Sequence, residues 1–355
     1  MEIEAAKKGN PKMKRALITG ISGQDGSYLA EYLLDLNYQV YGLVRREPLT
    51  ARWLQGICNR VEFVYGDLRD STSLEGAFRK AWPDEVYNLA AQVFVPSSWE
   101  CPSETFDINV GGLARLLQIV EREKPDTRVY QASSSEMYGN VDGHCSEQTP
   151  LKPVSPYGVS KVAAHNLIGV YRQRGIFALG GILFNHESPR RGPEMVTRKI
   201  TRAAAAWAKG DRTKLKLGNL QARRDWGFAG DYVKTMHAML QRSEPKDYVI
   251  GTGESHSVAE FVALVLKEVS GYGVPLHAPV EDFVEVDEHL IRPNEIKDLR
   301  ADSRMARAEL GWAPELDFRG LVHLMVESEL AAAGVTLAKS TAVGLGSVPL
   351  PVVQL

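Results

Sequence analysis

Residues 15–36 constrain the fold more than any other stretch of the sequence. An apolar strand pattern at 15–19 runs into Gly20, Gly23 and Gly26, and a helical period of apolar residues follows. The first glycine would permit a tight turn, the second the close approach of the backbone to a pyrophosphate, and the third the packing of helix on strand. The spacing departs from Gly-x-Gly-x-x-Gly, and a glycine cluster can be purely structural, but its place directly after the first strand favours dinucleotide binding.

Further apolar strand patterns leave room for helices between them. They lie at residues 39–44, 61–65, 85–89, 127–131 and 178–184. Strands that alternate with helices predict an α/β fold of the Rossmann type, a doubly wound parallel sheet with right-handed crossovers and a cofactor at the carboxyl ends of the strands. With 355 residues the chain exceeds one typical core, so two domains or one extended α/β domain fit its length.

The residues that follow these strands indicate a nicotinamide dinucleotide. Arg45 and Arg46 stand where a NAD-preferring fold usually carries an acidic residue for the adenosine ribose, which favours NADP. The alternative is a solvated loop, and Glu47 would repel a 2′-phosphate. Asp67 could accept a hydrogen bond from the adenine amino group or be an ordinary turn aspartate, and the small residues at 90–92 would let the cofactor lie close to the backbone.

A tyrosine and a lysine four residues apart, Tyr157 and Lys161, follow a Ser155-Pro156 step. Proline at a first helical position starts a helix, so both side chains should share one face. An ammonium beside a phenol lowers the tyrosine pKa and makes the phenol a usable base for a sugar or alcohol hydroxyl. The same spacing is common on solvated helix faces, but here it follows a dinucleotide-binding pattern. The remaining histidines, such as His165, are interpreted as packing or surface groups.

The turn after the fifth strand, residues 133–139, carries Ser134 and Glu136 and follows a long helix predicted over 105–123. At the carboxyl end of a sheet strand, a hydroxyl and a carboxylate could face the same substrate carbon from two sides. A serine-rich turn with a solvated glutamate fits the spacing equally well.

The composition argues against several other classes of protein. The net charge of −2 argues against a nucleic-acid partner. Cys58, Cys101 and Cys145 show neither metal-ligand spacing nor an even framework, which predicts no metal site and a reducing, cytoplasmic compartment. The basic leader lacks the apolar core of a signal peptide, and the uncharged residues 340–355 are too short to span a bilayer comfortably, so no membrane partner is expected.

Beyond Pro189 the sequence predicts a smaller, discontinuous C-terminal substrate domain. The expected division is a dinucleotide-binding domain of residues 12–186 plus about 225–254, a substrate domain of 187–224 plus about 255–330, and a tail of 331–355. Ser257 is predicted to cap a helix, with Glu260 completing a capping box, and Ser303 to cap another.

The chain resembles the extended short-chain dehydrogenase/reductase family and, within it, the GDP-mannose 4,6-dehydratases, over about residues 14–329. The most specific segments are Gly-Ile-Leu-Phe-Asn-His-Glu-Ser-Pro at 181–189 and Arg-Asp-Trp-Gly at 224–227. The resemblance implies an NADP-dependent lyase that converts GDP-mannose to GDP-4-keto-6-deoxymannose and water, at the start of GDP-fucose and GDP-rhamnose biosynthesis. It also implies a homodimer or homotetramer.

The resemblance further implies roles for individual residues. Tyr157 is the base at the mannose 4-hydroxyl, Lys161 tunes it and holds the nicotinamide ribose, and Ser134 positions the 4-oxygen. Glu136 removes the C5 proton and protonates the departing 6-hydroxyl. Besides Tyr157 and Lys161, the implied cofactor contacts are Gly20, Ser22, Gly23, Gln24, Asp25, Gly26, Arg45, Arg46, Asp67, Leu68, Leu89, Ala90, Ala91, Gln92, His186 and Arg191. The implied substrate contacts are Ser134, Glu136, Asn185, Lys199, Arg224, Arg292 and Glu295.

Two kinds of alternative remain open. A GDP-4-keto-6-deoxymannose reductase, or another nucleotide-sugar dehydratase or epimerase on the same fold, would also carry Tyr157 and Lys161, but a reductase or epimerase needs no carboxylate like Glu136. A non-catalytic nucleotide-binding module should not need the three residues together.

Overall fold

The computed structural model describes residues 13–45, 52–272, 279–291 and 294–335 of the chain. Its strands are β1 Arg15–Thr19, β2 Gln39–Val44, β3 Val61–Tyr65, β4 Glu85–Asn88, β5 Arg128–Ser134, β6 His144–Cys145, β7 Ala178–Leu183, β8 Asn185–Glu187, β9 Leu215–Leu217, β10 Arg223–Arg224, β11 Trp226–Phe228, β12 Tyr248–Ile250, β13 His256–Ser257, β14 Val284–Val286 and β15 Asp298–Ala301. Its α-helices are α1 Gln24–Asp35, α2 Ser71–Ala81, α3 Val95–Glu100, α4 Pro102–Phe106, α5 Gly112–Glu123, α6 Pro156–Gln173, α7 Val196–Ala208, α8 Ala229–Leu240, α9 Val258–Gly271, α10 Val280–Phe283, α11 Arg304–Leu310 and α12 Phe318–Ala332.

The central sheet has seven strands in the order β12-β7-β5-β4-β1-β2-β3, and all neighbouring strands are parallel. The predicted doubly wound α/β fold is therefore confirmed. The strand order reverses between β1 and β4. A crevice at the carboxyl ends of the strands, beside this reversal, is where such sheets bind ligands.

The glycine turn between β1 and α1 brings three chain segments into close contact. Gly20 has φ +72°, and a Cβ on it would lie 2.8 Å from the Ala90 nitrogen. A Cβ on Gly26 would lie 2.3 Å from the Gly20 carbonyl oxygen, as expected for a glycine that lets the helix pack closely on the strand. The Thr19 hydroxyl accepts hydrogen bonds from the Leu89 and Ala90 N–H groups, which fixes the end of β4 against β1.

A second hydrophobic core lies outside the central sheet. Helices α7, α9 and α12 pack on one another around buried side chains such as Phe261, Leu321 and Met325. The predicted capping box at Ser257 and Glu260 is present at the start of α9. None of the helices in the described ranges is long and apolar enough to cross a membrane.

Two local predictions were wrong. The helix expected over 105–123 is interrupted, because residues Asp107–Gly111 adopt π-helical hydrogen bonding between α4 and α5. Ser303 precedes α11 but makes no capping bond, since its hydroxyl donates to the Gly251 carbonyl instead. Strand β5 extends three residues beyond the predicted end, to Ser134. This extension sets Ser134 at the carboxyl edge of the sheet.

Candidate active site

A cavity of about 810 Å³ lies between the carboxyl ends of the central strands and the elements of the second core. Twelve predicted site residues line it, namely Asp25, Leu89, Ser134, Glu136, Tyr157, Lys161, Asn185, His186, Arg191, Lys199, Arg224 and Glu295. The fold thus gathers residues that lie up to 270 positions apart in sequence, from 25 to 295. Within the described ranges, no group of histidine, cysteine, aspartate and glutamate side chains is arranged to hold a metal ion.

The other predicted cofactor residues do not line this cavity. They belong to the glycine turn or to the ends of β2, β3 and β4, namely Gly20, Ser22, Gly23, Gln24, Gly26, Arg45, Asp67, Leu68, Ala90, Ala91 and Gln92. Arg46 and Arg292 lie outside the described residues.

The Ser134 hydroxyl at the end of β5 lies close enough to the Tyr157 hydroxyl to lower the pKa of the phenol. Ser155 caps α6 by accepting from the Gly158 N–H, and proline occupies the first helical position, as predicted. The short turn that carries Glu136 packs against α6, and the Glu136 N–H donates to the Ser134 hydroxyl oxygen at 3.2 Å. A phenol, a hydroxyl and a carboxylate therefore share one part of the cavity wall.

The electrostatics of Tyr157 and Lys161 differ from the prediction. Burial raises the pKa of Tyr157 to about 12, against the lowering effect of its hydrogen bond to Ser134. Burial also lowers the pKa of Lys161 to about 8. The lysine nitrogen lies 5.7 Å from the centroid of the Tyr157 ring and donates to the Ala132 carbonyl at 2.9 Å. These side chains therefore do not lower the pKa of Tyr157 as predicted. The prediction used only the spacing of the two residues, which does not show that both are buried.

A buried ion pair joins the start of α1 to β8. His186 Nε2 lies 2.8 Å from Asp25 Oδ2, and His186 Nδ1 lies 2.7 Å from the Phe184 carbonyl oxygen. Both partners can accept, and a ring that donates to both carries hydrogen on both nitrogens, a form that the charge of Asp25 favours. Burial lowers the pKa of His186, but the charge and hydrogen bond of Asp25 outweigh it and the pKa stays above 6.5. The pKa of Asp25 is held below its usual value despite burial, chiefly by the charge of His186.

A second set of contacts fastens α1 to the segment after β8. The Gln24 side chain donates to the His186 carbonyl and accepts from the Ser188 hydroxyl. Arg190 Nη2 donates to both carboxylate oxygens of Glu31, at 2.8 and 2.9 Å, and the Arg190 side chain is only 7% exposed. Gln24, predicted as a cofactor contact, therefore also holds the cavity wall to the helix.

Arg191 is oriented by Glu187, a buried carboxylate in the cavity wall. The Arg191 Nε atom lies 3.1 Å from Glu187 Oε2, and the same oxygen accepts from the Thr197 hydroxyl at 2.5 Å. Glu187 was not among the predicted site residues, although it lies within the specific segment 181–189. Glu187 ends strand β8 and Arg191 lies in the turn after it, so no helical pattern in the sequence revealed the pair.

Asn109 is another functional candidate that the sequence analysis missed. It lies in the π-helical segment, where its amide donates to the Ser160 hydroxyl and the Gln92 carbonyl and its oxygen accepts from the Gln92 N–H. It therefore ties the end of β4 to α6. π-Helical turns inside α-helices are frequent at functional sites, but the residue pattern around Asn109 is that of an ordinary helix.

Asp67 is engaged by a neighbouring cation. Arg69 donates to it from the backbone N–H at 2.9 Å and from Nη2 at 2.9 Å, and also pairs with Glu104 at 3.1 Å. The hydrogen bonds of Arg69 hold the pKa of Asp67 below its usual value. Asp67 is ionised but already accepts several bonds, so an adenine amino group would compete for its oxygens.

A buried carboxylate supports the part of the cavity wall that carries Arg224, a predicted substrate contact. Asp225 accepts from the Thr252 N–H and hydroxyl, the Gly253 N–H and the Ala301 N–H, at 2.6 to 3.0 Å. Neighbouring Arg224 donates to the Ile296 carbonyl at 2.8 Å. These bonds join the loop after β12 and strand β15 behind the predicted diphosphate contact.

Comparison with known proteins gives consistent matches across the chain. Residues 17–325 match the family model described as GDP-mannose 4,6 dehydratase. GDP-mannose 4,6 dehydratase 1 of Arabidopsis thaliana is 47% identical over 334 residues, which cover 90% of this chain and 91% of the relative. The human GDP-mannose 4,6 dehydratase is 42% identical over 339 residues, which cover 89% of this chain and 91% of the relative.

Among solved structures, the UDP-glucose 4-epimerase of Thermus thermophilus, in complex with NAD, superposes with a TM-score of 0.76 at 28% identity. The match covers 90% of this chain and 99% of the epimerase. Fold, cavity and sequence matches agree, and the chain belongs to the GDP-mannose 4,6-dehydratase family.

Proposed function

We propose that this protein converts GDP-mannose to GDP-4-keto-6-deoxymannose and water. The observation that carries the proposal is that Glu136 lines the same cavity as Ser134, Tyr157 and Lys161, in a chain whose relatives are GDP-mannose 4,6-dehydratases. A reductase or epimerase needs the tyrosine and lysine but has no step for the carboxylate.

The residues at the glycine turn fit a dinucleotide. Gly23 is the N-cap residue of α1 and brings no side chain to the first N–H groups of the helix, which makes that end an anion site. A Cβ at position 20 or 26 would collide with backbone, so the turn keeps the close packing such a site requires. When bound, a nicotinamide dinucleotide, which we propose is NADP, accepts the C4 hydride and returns it at C6.

In the oxidation step Tyr157 takes the proton of the 4-hydroxyl while Ser134 holds the 4-oxygen. Because burial raises the Tyr157 pKa to about 12, the phenolate form that accepts a proton is scarcely populated at neutral pH. Its conversion to phenolate depends on positive charge brought close to it, and Lys161, whose ammonium is already held by Ala132, is placed to stabilise that form.

In the elimination step Glu136 acts first as base and then as acid. The 4-ketone acidifies the C5 proton, which the Glu136 carboxylate removes. The resulting carboxylic acid protonates the 6-oxygen, the C6–O bond breaks, and water leaves with the formation of a C5–C6 double bond. Hydride addition at C6 and protonation at C5 complete the 6-deoxy sugar, and the proton gained at C5 balances the one that Tyr157 took from the 4-hydroxyl, so no net oxidation occurs.

The remaining site residues are proposed as binding contacts. Arg191 and Arg45 suit the phosphates of the cofactor, and Lys199 and Arg224 suit the diphosphate of the substrate, since guanidinium and ammonium groups bind phosphate oxygens well. Asn185 and Glu295 suit the hydroxyl and N–H groups of the substrate, which they can hydrogen-bond. The division into a dinucleotide-binding part and a substrate-binding part, a cytoplasmic location and a homodimer or homotetramer are proposed together with this function.

The proposal is tested with purified protein, NADP and GDP-mannose, followed by mass spectrometry and near-ultraviolet absorbance. We expect loss of one water per sugar without accumulation of reduced cofactor. Glu136→Gln should slow dehydration by a factor of about 10² to 10⁴, because it removes the proton-transfer group. Glu121→Gln, a surface change beside Arg174, serves as the control. Turnover that requires a keto-sugar and NADPH would instead establish the reductase.

A further inference from the structure

His165 continues the face of α6 that carries Tyr157 and Lys161, since the three residues are spaced four apart. Its Nδ1 atom lies 2.9 Å from the Ser133 hydroxyl oxygen, and its side chain is 14% exposed. Ser133 directly precedes Ser134 in β5. The histidine therefore contacts the strand one residue before the proposed 4-oxygen contact.

Three consecutive residues of β5 are each held by one side chain of this helix face. Ser133 is hydrogen-bonded to His165, the Ala132 carbonyl accepts from the Lys161 ammonium, and the Ser134 hydroxyl lies beside Tyr157 and lowers its pKa. Tyr157 and Lys161 have proposed chemical roles, whereas His165 lies behind them and does not line the cavity. Of these three contacts, the one made by His165 therefore serves only to hold β5 against α6.

A carboxylate behind the histidine sets its hydrogen positions. Asp247 Oδ2 lies 3.9 Å from His165 Nε2, while Asp247 Oδ1 accepts from Arg172 Nη2 at 2.5 Å and from the Gly180 N–H at 2.6 Å. Burial lowers the pKa of His165, so its ring is neutral and carries one hydrogen. The carboxylate favours that hydrogen on Nε2, which leaves Nδ1 to accept from the Ser133 hydroxyl.

The neighbouring strand β7 leaves room for this bond. A Cβ on Gly180 would lie 2.7 Å from His165 Nδ1 and 3.0 Å from the Ser133 hydroxyl oxygen. A side chain at this position would therefore separate the two groups. The bond thus depends on glycine at one residue of β7.

We propose that His165 is a positioning residue for the reaction. Through its hydrogen bond to Ser133 it holds the end of β5, so that the hydroxyl groups of Ser134 and Tyr157 keep their positions at the sugar's 4-oxygen. The inference rests on the proposed function. Its physical basis is that proton and hydride transfer demand reacting atoms in near-contact geometry, and small displacements reduce the rate strongly without weakening binding.

Two substitutions separate the hydrogen bond from packing. His165→Phe keeps a ring in the space but removes the nitrogen, and we expect kcat to fall about 10- to 100-fold while KM for GDP-mannose and Tm stay close to wild type. His165→Asn loses ring volume but can bond to Ser133, and we expect it to recover most of kcat. The reverse order, with Phe active and Asn impaired, would show a packing role and overturn the inference.

Ser133→Ala gives a second readout of the same bond. It should lower kcat by a factor similar to that of His165→Phe, and the double variant should be no slower than either single one, because both remove one interaction. If the double variant instead lowered kcat by the product of the two single effects, His165 and Ser133 would act independently, and the inference would be contradicted.

A crystal structure of His165→Phe tests the inference without any substrate. We expect the Ser134 hydroxyl to move away from Tyr157. If the distance between them is unchanged, the inference is overturned, and this result does not depend on which substrate the wild-type protein converts. Absence of turnover of GDP-mannose by the wild-type protein, in contrast, would refute the proposed function. The two failures are therefore distinguishable.

Discussion

The buried pair of Asp25 and His186 leads to the sharpest electrostatic prediction. At the observed 2.8 Å between Nε2 and Oδ2, two unit charges attract by about 6 kcal/mol if the effective dielectric constant is about 20. Burial opposes this attraction, as does the positive charge of Arg191. In Asp25→Asn the charge that raises the pKa of His186 is gone. Burial and Arg191, which lower that pKa, and the bond to the Phe184 carbonyl, which raises it, remain.

We therefore expect the pKa of His186 to fall from above 6.5 in the wild-type protein to below 6.5 in Asp25→Asn. Nitrogen NMR of histidine-labelled protein, recorded as a pH titration, should show His186 losing its second ring proton at a lower pH in the variant than in the wild type. Glu268→Gln, beside the part-exposed His323, is the matched control and should leave His186 unchanged.

The pair also gives a signed pH dependence of stability. The raised pKa of His186 contributes stability that is complete below pH 6.5 and is lost as the pH rises through the folded-state pKa. The lowered pKa of Asp25 contributes stability above pH 3.8 that is lost as the pH falls through its folded-state pKa. The stability difference between wild type and Asp25→Asn should be largest between these values. Identical titration of His186 in both proteins, or a lower pKa in the wild type, would refute this account.

Three further substitutions test the structure around the site. Gly26→Ala places a Cβ against backbone, so calorimetry should show loss of NADP binding, whereas Gly76→Ala, with no heavy atom within 4 Å of the added Cβ, should bind normally. Asp225→Asn turns one oxygen that accepts two bonds into a donor, so urea unfolding should show a loss of about 2 to 5 kcal/mol, and an unchanged midpoint would contradict this. Arg190→Met removes the ion pair with α1, which leaves the helix at the proposed cofactor site less firmly positioned. The Kd for NADP should rise about tenfold, a loss of about 1.4 kcal/mol of binding free energy, with KM for the sugar unchanged.

The fold was largely predictable because its determinants are local. The glycine turn and the alternation of strands and helices depend on residues within about ten positions of one another. These local patterns predicted the parallel sheet and the position of the cavity at the carboxyl ends of its strands. The proline start of α6 likewise identified the shared face of Tyr157 and Lys161. Ser134 and Glu136 could be placed near that face because both follow a strand at the same edge of the sheet.

The rest depends on contacts between distant residues or on burial. The ion pair of Asp25 and His186 joins positions 161 residues apart, and no local pattern reveals it. The π-helical turn at Asn109 arises in a sequence with ordinary helical character, which predicts an uninterrupted helix. The pKa of Tyr157 was predicted to fall because spacing shows a nearby ammonium but not the desolvation that raises it.

The most direct test of the proposed chemistry follows the hydrogen at C4. GDP-mannose carrying deuterium at C4 is incubated with the purified protein and NADP, and the product is examined by NMR and mass spectrometry. The account predicts that the deuterium appears at C6 of the 4-keto-6-deoxy sugar formed from the same molecule, with no net reduction of NADP. Deuterium that accumulates in the reduced cofactor, or that remains at C4 of an unchanged sugar, would contradict it.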